Sequence, residues 1–195
     1  MNLPEPKQIL FISQRLAFLD AIISPEWEYR YYSFNHSWDL NQQMASMRDG
    51  SGNEYFILFE NNNCGIKVYN KQQNEECQKF ITEQRETDNH FIRNFLNEPA
   101  FSIPYSTFLS FWESGQKRWK SYGNEKNMLL HIFSDPQKKY FDFSKEYYEK
   151  EIPMKLINKI FSSESMKSDV ILKINREIDL DEFTVEAQEI GLNLI

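Results

Sequence analysis

Residues 44–59 read Met44-Ala45-Ser46-Met47-Arg48-Asp49-Gly50-Ser51-Gly52-Asn53-Glu54-Tyr55-Phe56-Ile57-Leu58-Phe59 and hold two of the chain's six glycines. Gly and Asn accept the positive φ that tight hairpin turns need, so residues 49–53 read as a turn between two strands, 44–48 and 54–60. The unbroken apolar run from Tyr55 to Phe59 predicts a central strand buried on both faces. Asn61-Asn62-Asn63 supplies a second turn ahead of a strand over 65–69, which makes the region an antiparallel meander. A phosphate-binding reading of Gly50-Ser51-Gly52 needs a Lys-Ser/Thr pair after the glycines, or a helix whose N-terminus faces the anion. Here the glycines lead into a strand, and the turn reading is the stronger.

Outward from this stretch, Ile9, Ile12, Leu16, Leu19 and Ile23 are spaced three and four apart. That spacing predicts an amphipathic helix over 5–23, stopped by Ser24-Pro25. The aromatic alternation of residues 27–34 predicts a strand. Residues 71–86 are polar and read as a solvated excursion, partly helical at best. Thr87 is placed as the cap of a helix bearing Phe91, Ile92, Phe95 and Leu96. Residues 107–112 read as another strand, 116–126 as a polar loop, and 128–133 as a short apolar run of either type.

The last third changes character. Asp135-Pro136 is a cap followed by Pro at the first helical position, and the helix it opens runs to Tyr148. Its buried side is expected to be Tyr140, Phe141, Phe143 and Tyr147. Pro153 opens a further helix, Ser165 is placed as the cap of another, and Asp179 caps a last one ended by Gly191. The expected class is α+β: an antiparallel meander sheet with an N-terminal helix and a helical C-terminal third. The regions are 1–134, the sheet part, and 135–195, helices packed on it as one unit.

The 195 residues contain 16 Phe, 10 Tyr and 4 Trp, and 41% hydrophobic content is enough for a substantial core. The net charge of −7 disfavours a nucleic-acid binder, which would show a basic face. Residues 175–195 concentrate the acidity, with Arg176 as the one basic residue against Glu177, Asp179, Asp181, Glu182, Glu186 and Glu189. The start, MNLPEPKQIL, lacks a basic segment and a cleavage site, no apolar run is long enough for a membrane span, and Cys64 and Cys77 form no metal or redox spacing. A cytoplasmic protein, monomeric or weakly self-associating, is the expectation.

The run from Met44 to Phe59, with Trp38 before it and Asn97-Glu98-Pro99-Ala100-Phe101-Ser102 and Glu146-Tyr147-Tyr148-Glu149 after it, resembles a family of uncharacterised bacterial proteins. That family reads roughly W…MASMRxGSGxEYFILF…NEPAFS…EYYE, and the resemblance runs from about Trp38 to the C-terminus. One departure stands out. Where the family tends to show Gly-Phe-Asp-His-Glu-Ser, this chain has Tyr69-Asn70-Lys71-Gln72-Gln73-Asn74. The resemblance implies a small cytoplasmic accessory protein, and by analogy a role beside toxin systems as an immunity protein.

No residues form a catalytic constellation in the sequence: the histidines His36, His90 and His131 share no metal-binding spacing, and no nucleophile elbow occurs. No catalytic residue, metal site or cofactor is therefore expected. The preferred reading is a non-catalytic protein-binding chain, an immunity-type inhibitor whose acidic face docks on a basic toxin domain. Its partner-binding candidates are Arg48, Asp49, Trp119, Asp179, Asp181, Glu182, Glu186 and Glu189. Arg48 and Asp49, with Glu54 across the turn, read either as an ion-pair clamp or as an exposed recognition point. Trp119, in a basic polar segment, is expected at the surface, whereas Trp27, Trp38 and Trp112 are expected in the core. The alternative is a small-ligand-binding protein or enzyme with a pocket near Trp38, Arg48 and Tyr55.

Overall fold

The computed structural model describes residues 3–73, 77–123 and 128–195. It is an α+β protein built on a six-stranded antiparallel sheet whose strands lie in chain order. The elements are α1 (Pro6–Ile23), β1 (Tyr32–Asp39), β2 (Gln42–Arg48), β3 (Glu54–Glu60), β4 (Asn63–Tyr69), α2 (Gln78–Gln84), α3 (His90–Asn97), β5 (Phe108–Glu113), β6 (Arg118–Gly123), α4 (Pro136–Tyr147), α5 (Met154–Ser162), α6 (Ser168–Ile174) and α7 (Leu180–Glu189). The meander around 44–69 forms as expected, with Arg48 opposite Glu54 and Glu60 opposite Asn63. Gly52 holds φ +102° in the first turn, a conformation that strains any side chain.

β3 is buried on both sides because each face of the sheet carries its own apolar layer. Tyr55, Ile57 and Phe59 point to one face with Ile66 and Val68, while Phe56 and Leu58 point to the other with Leu109 and Phe111. The first face packs on α1 and the C-terminal helices. α1 is more deeply enclosed than an amphipathic pattern suggests: Ser13, Gln14, Arg15 and Asp20 are buried along with Ile9, Leu16, Phe18 and Leu19. The sheet covers one side of this helix and α4 to α7 cover the rest, so a single apolar cluster joins residues from Ile9 to Leu192. The second face is covered thinly by α2, α3 and two 3-10 turns, Pro99–Phe101 and Ile103–Tyr105. Gly65 makes that cover possible, since a Cβ there would lie 2.8 Å from the Phe95 ring.

Several expectations are corrected. Trp27–Tyr29 is a 3-10 turn rather than the start of a strand, and β1 begins at Tyr32 and runs on to Asp39. The supposed polar loop of 116–126 contains the strand β6; residues 124–126 lie outside the described part. The excursion of 71–86 is partly helical, as expected, holding α2, with 74–76 outside the described residues. Asn89, not Thr87, caps α3, its Oδ1 accepting the Ile92 N–H at 3.1 Å. α6 begins at Ser168 behind Lys167 and takes no cap from Ser165. The ambiguous run after 127 is a 3-10 segment, Met128–Ser134. The caps at Asp135 and Asp179 and the positive φ of Gly191 are as expected. On α4, Tyr140 is fully buried, Phe141 and Phe143 are half-buried, and Tyr147 is exposed.

Candidate functional site: a groove along the free edge of β1

β1 is the outer strand of the sheet, so one of its edges has no strand beside it. The N–H of Arg48 donates to the Tyr31 carbonyl at 2.9 Å, which fixes the alternation along the strand. Ser33 and Asn35 turn their backbone groups to β2, as does the Tyr31 carbonyl, while Tyr32 and Phe34 turn theirs to the free edge. The Tyr32 N–H is taken by the Asp20 carboxylate at 2.7 Å. The Phe34 N–H and carbonyl make no hydrogen bond among the described residues.

Asp20 sets where this strand starts. Its carboxylate, wholly inside the protein, accepts the Tyr31 N–H at 3.0 Å, the Tyr148 hydroxyl at 2.8 Å and the Tyr140 hydroxyl at 2.6 Å, as well as Tyr32. One side chain thus ties α1 to the head of β1 and to α4. Burial pushes the Asp20 carboxyl up to about 6, against the pull of these four donors. The same burial pushes the Tyr140 hydroxyl well above its ordinary value, so it stays a donor.

The turn before β1 hangs from this anchor. Arg30 donates from Nε to the Ser24 carbonyl at 2.8 Å and from Nη2 to the Pro25 carbonyl at 2.6 Å. Its Nη1 pairs with Glu186 of α7, and the Arg30 side chain is left 5% exposed. Trp27, by contrast, is 62% exposed.

These features wall a groove of about 270 Å³. Its floor is Ala17 and Phe34, with Ser33, Asn35 and Ser46 beside them. One wall is Trp27, the Arg30–Glu186 pair, Glu189 and Ile190. The other is Trp38, Met44, Phe56 and Arg48. Trp38 stacks on Phe101 with ring centroids 6.3 Å apart, and the Arg48 guanidinium lies over the Phe56 ring at 5.2 Å. Neither Arg48 nor Glu189 has an oppositely charged partner among the described residues. The groove therefore offers aromatic surface, one cation, one free carboxylate and an unpaired strand edge, which is the equipment of recognition.

The groove gathers some of the sequence-derived candidates and scatters others. Arg48, Trp38, Glu186 and Glu189 meet there. Asp49 does not: its Oδ1 accepts the Ser51 and Asn53 N–H groups at 2.8 and 2.9 Å, which makes it a turn residue. The expected Arg48–Glu54 clamp is absent, because Glu54 pairs with Lys67, whose side chain is fully buried on the thin-layer face. Tyr55 points to the α1 face, away from Arg48, so the pocket of Trp38, Arg48 and Tyr55 is not formed. Trp119 is half-buried against Trp112 and donates from Nε1 to the Pro4 carbonyl at 2.8 Å, contrary to its expected surface role. Trp27 is corrected in the opposite sense, from core to surface.

On α7, Asp179 is spent as the cap, accepting the Asp181 and Glu182 N–H groups at 2.9 and 3.2 Å. Asp181 and Glu182 are exposed in its first turn. Sequence reasoning missed Trp27, Arg30 and the Phe34 edge. Alternation gave no sign that β1 lies at a border, and Arg30 gains its role from a carboxylate 156 residues away.

Elsewhere, Cys64 and Cys77 are buried, and burial pushes the Cys64 thiol well up. Among the described residues no group of three or more His, Cys, Asp or Glu side chains is placed to hold a metal ion. No helix among them is long and apolar enough to cross a membrane. No protein-family model matches the chain, and comparison with curated proteins and with solved structures gives no match.

Proposed function

We propose that this chain works by binding another protein, and that the β1 groove is the contact. The observation that carries this reading is the meeting of an exposed Trp27, a half-buried Trp38 and the unpaired Arg48 and Glu189 around one concave strip. Aromatic and Arg side chains dominate the energetics of protein contacts, and a free charge at the rim steers a complementary partner. Asp181 and Glu182 extend the acidity of α7 beyond the groove, so the partner that fits is basic. In its most concrete form the chain is a cytoplasmic immunity-type inhibitor of a basic toxin domain, in keeping with the bacterial family that its sequence resembles.

A small-molecule site is the weaker reading, since about 270 Å³ lies just below the usual range for such pockets and Tyr55 is turned away. The test is co-expression with a toxin encoded beside the gene. Protection of the cells and co-purification of the toxin domain are expected, with both reduced in Trp27→Ala and Glu189→Lys. Absence of protection and of co-purification would overturn the proposal.

A further inference from the structure

Building on the groove as the contact, we infer that its occupant is an extended, alternately basic and apolar segment of the partner, added to the sheet as a strand beside β1. Three features argue for a strand rather than a helix or a folded sheet edge. The backbone of Phe34 presents one N–H and one carbonyl to the free edge, both without a partner among the described residues. An incoming strand would satisfy both, and main-chain pairing supplies affinity in this mode of recognition. The edge also lies between Trp27 and the α7 residues on one side and Trp38 on the other, a strip that suits a lone extended chain better than the border of another sheet. Its short length matches this, because the regular pairing of β1 with β2 covers 32–35 before the strand shifts register towards Asp39.

The charge pattern of the occupant follows from the two walls. Side chains of an extended segment alternate between the two faces of the sheet. Those on the α7 side meet Glu189 and the partly neutralised Glu186, which favours Lys or Arg. Those on the other side meet Trp38 and Met44, which favour an apolar side chain, and the uncompensated Arg48, which repels a cation. Alternation of basic and apolar residues suits both walls in a single register.

The probe is the peptide acetyl-Val-Lys-Val-Lys-Val-Lys-amide, titrated against the full chain, with two versions N-methylated at the Val or at the Lys nitrogens. Only one set of N–H groups faces β1 in a paired strand, so one methylated version is expected to lose about tenfold or more in affinity while the other binds like the parent. Hydrogen exchange at the Phe34 amide should slow at least about tenfold with the parent peptide. The Val-Glu counterpart should bind about tenfold or more weakly, and Glu189→Lys should weaken the Val-Lys peptide. Equal binding of both methylated peptides, equal loss in both, or an unchanged Phe34 amide would overturn strand addition. If no peptide binds while Trp27→Ala and Glu189→Lys still break the complex with the toxin domain, strand addition falls and the groove contact stands. If the peptides bind as expected but those variants leave the complex intact, strand addition stands and the proposed protein contact falls.

Discussion

The two faces of the sheet solve the same burial problem with unequal means. The face towards α1 is covered by a helix that is itself enclosed, and its buried carboxylate, Asp20, has four hydrogen-bond donors. The opposite face is covered by two short helices and two 3-10 turns, and its buried charge, Lys67, relies on Glu54 and on the rings of Phe56 and Tyr69. Burial lowers the Lys67 pKa, and the Glu54 carboxylate opposes that shift. The thick face fixes the fold. The thin face supplies one wall of the groove, through Phe101 beneath Trp38.

The largest test of this difference is truncation of one aromatic in each layer. Phe18 is fully buried and edge-on to Phe183 with centroids 5.2 Å apart, so Phe18→Ala should lower unfolding free energy by about 3–5 kcal/mol in urea titrations. Phe91→Ala in the thin layer should cost less, because a surface layer can settle into the gap. Equal losses would break the contrast.

Asp20 gives the next effect. Its carboxyl rises from 3.8 to about 6 on folding, so the folded state holds the proton more tightly than the unfolded one. The resulting stability is full below pH 3.8 and is lost as pH rises through 6, a span worth about 3 kcal/mol. Asp20→Asn should remove this decline from the difference between wild-type and variant midpoints measured from pH 4 to 7. Parallel pH profiles for the two would refute it.

Gly65→Ala comes third. The new methyl must push Phe95 away, at a cost of about 1–3 kcal/mol, with slower-relaxing NMR signals or faster exchange confined to α3. Spread of the change into α1 would show that the two layers are less independent than their packing indicates. The smallest effect belongs to Trp27→Ala, which should move stability by no more than about 0.5 kcal/mol while weakening partner binding. A large loss of stability there would make Trp27 part of the scaffold instead of the contact.

Local signals carried most of the fold. The turns at 49–53 and 61–63 and the caps at Asp135 and Asp179 were legible because each depends on a few neighbouring residues. β6 was not, because its exposed Arg118 and Lys120 and half-buried Ser121 give an edge strand the composition of a loop. The strand expected to begin at Trp27 begins at Tyr32 because Asp20, on another element, takes the amides of Tyr31 and Tyr32. The site was legible only in fragments. Arg48 and Trp38 lay near one motif and Glu186 and Glu189 in a distant acidic stretch, and only the packing of α7 beside β1 brings them together.

The enclosure of α1 also has a consequence in time. This helix is made well ahead of Phe183, Ala187 and Ile190, which join it in closing the same apolar cluster. At 5–20 residues per second the interval is about 10–30 s, during which an exposed apolar helix is a target for chaperones and for aggregation. Long-range closure of this kind also slows folding. The speed of synthesis between α1 and α7 therefore sets how long that surface stays open.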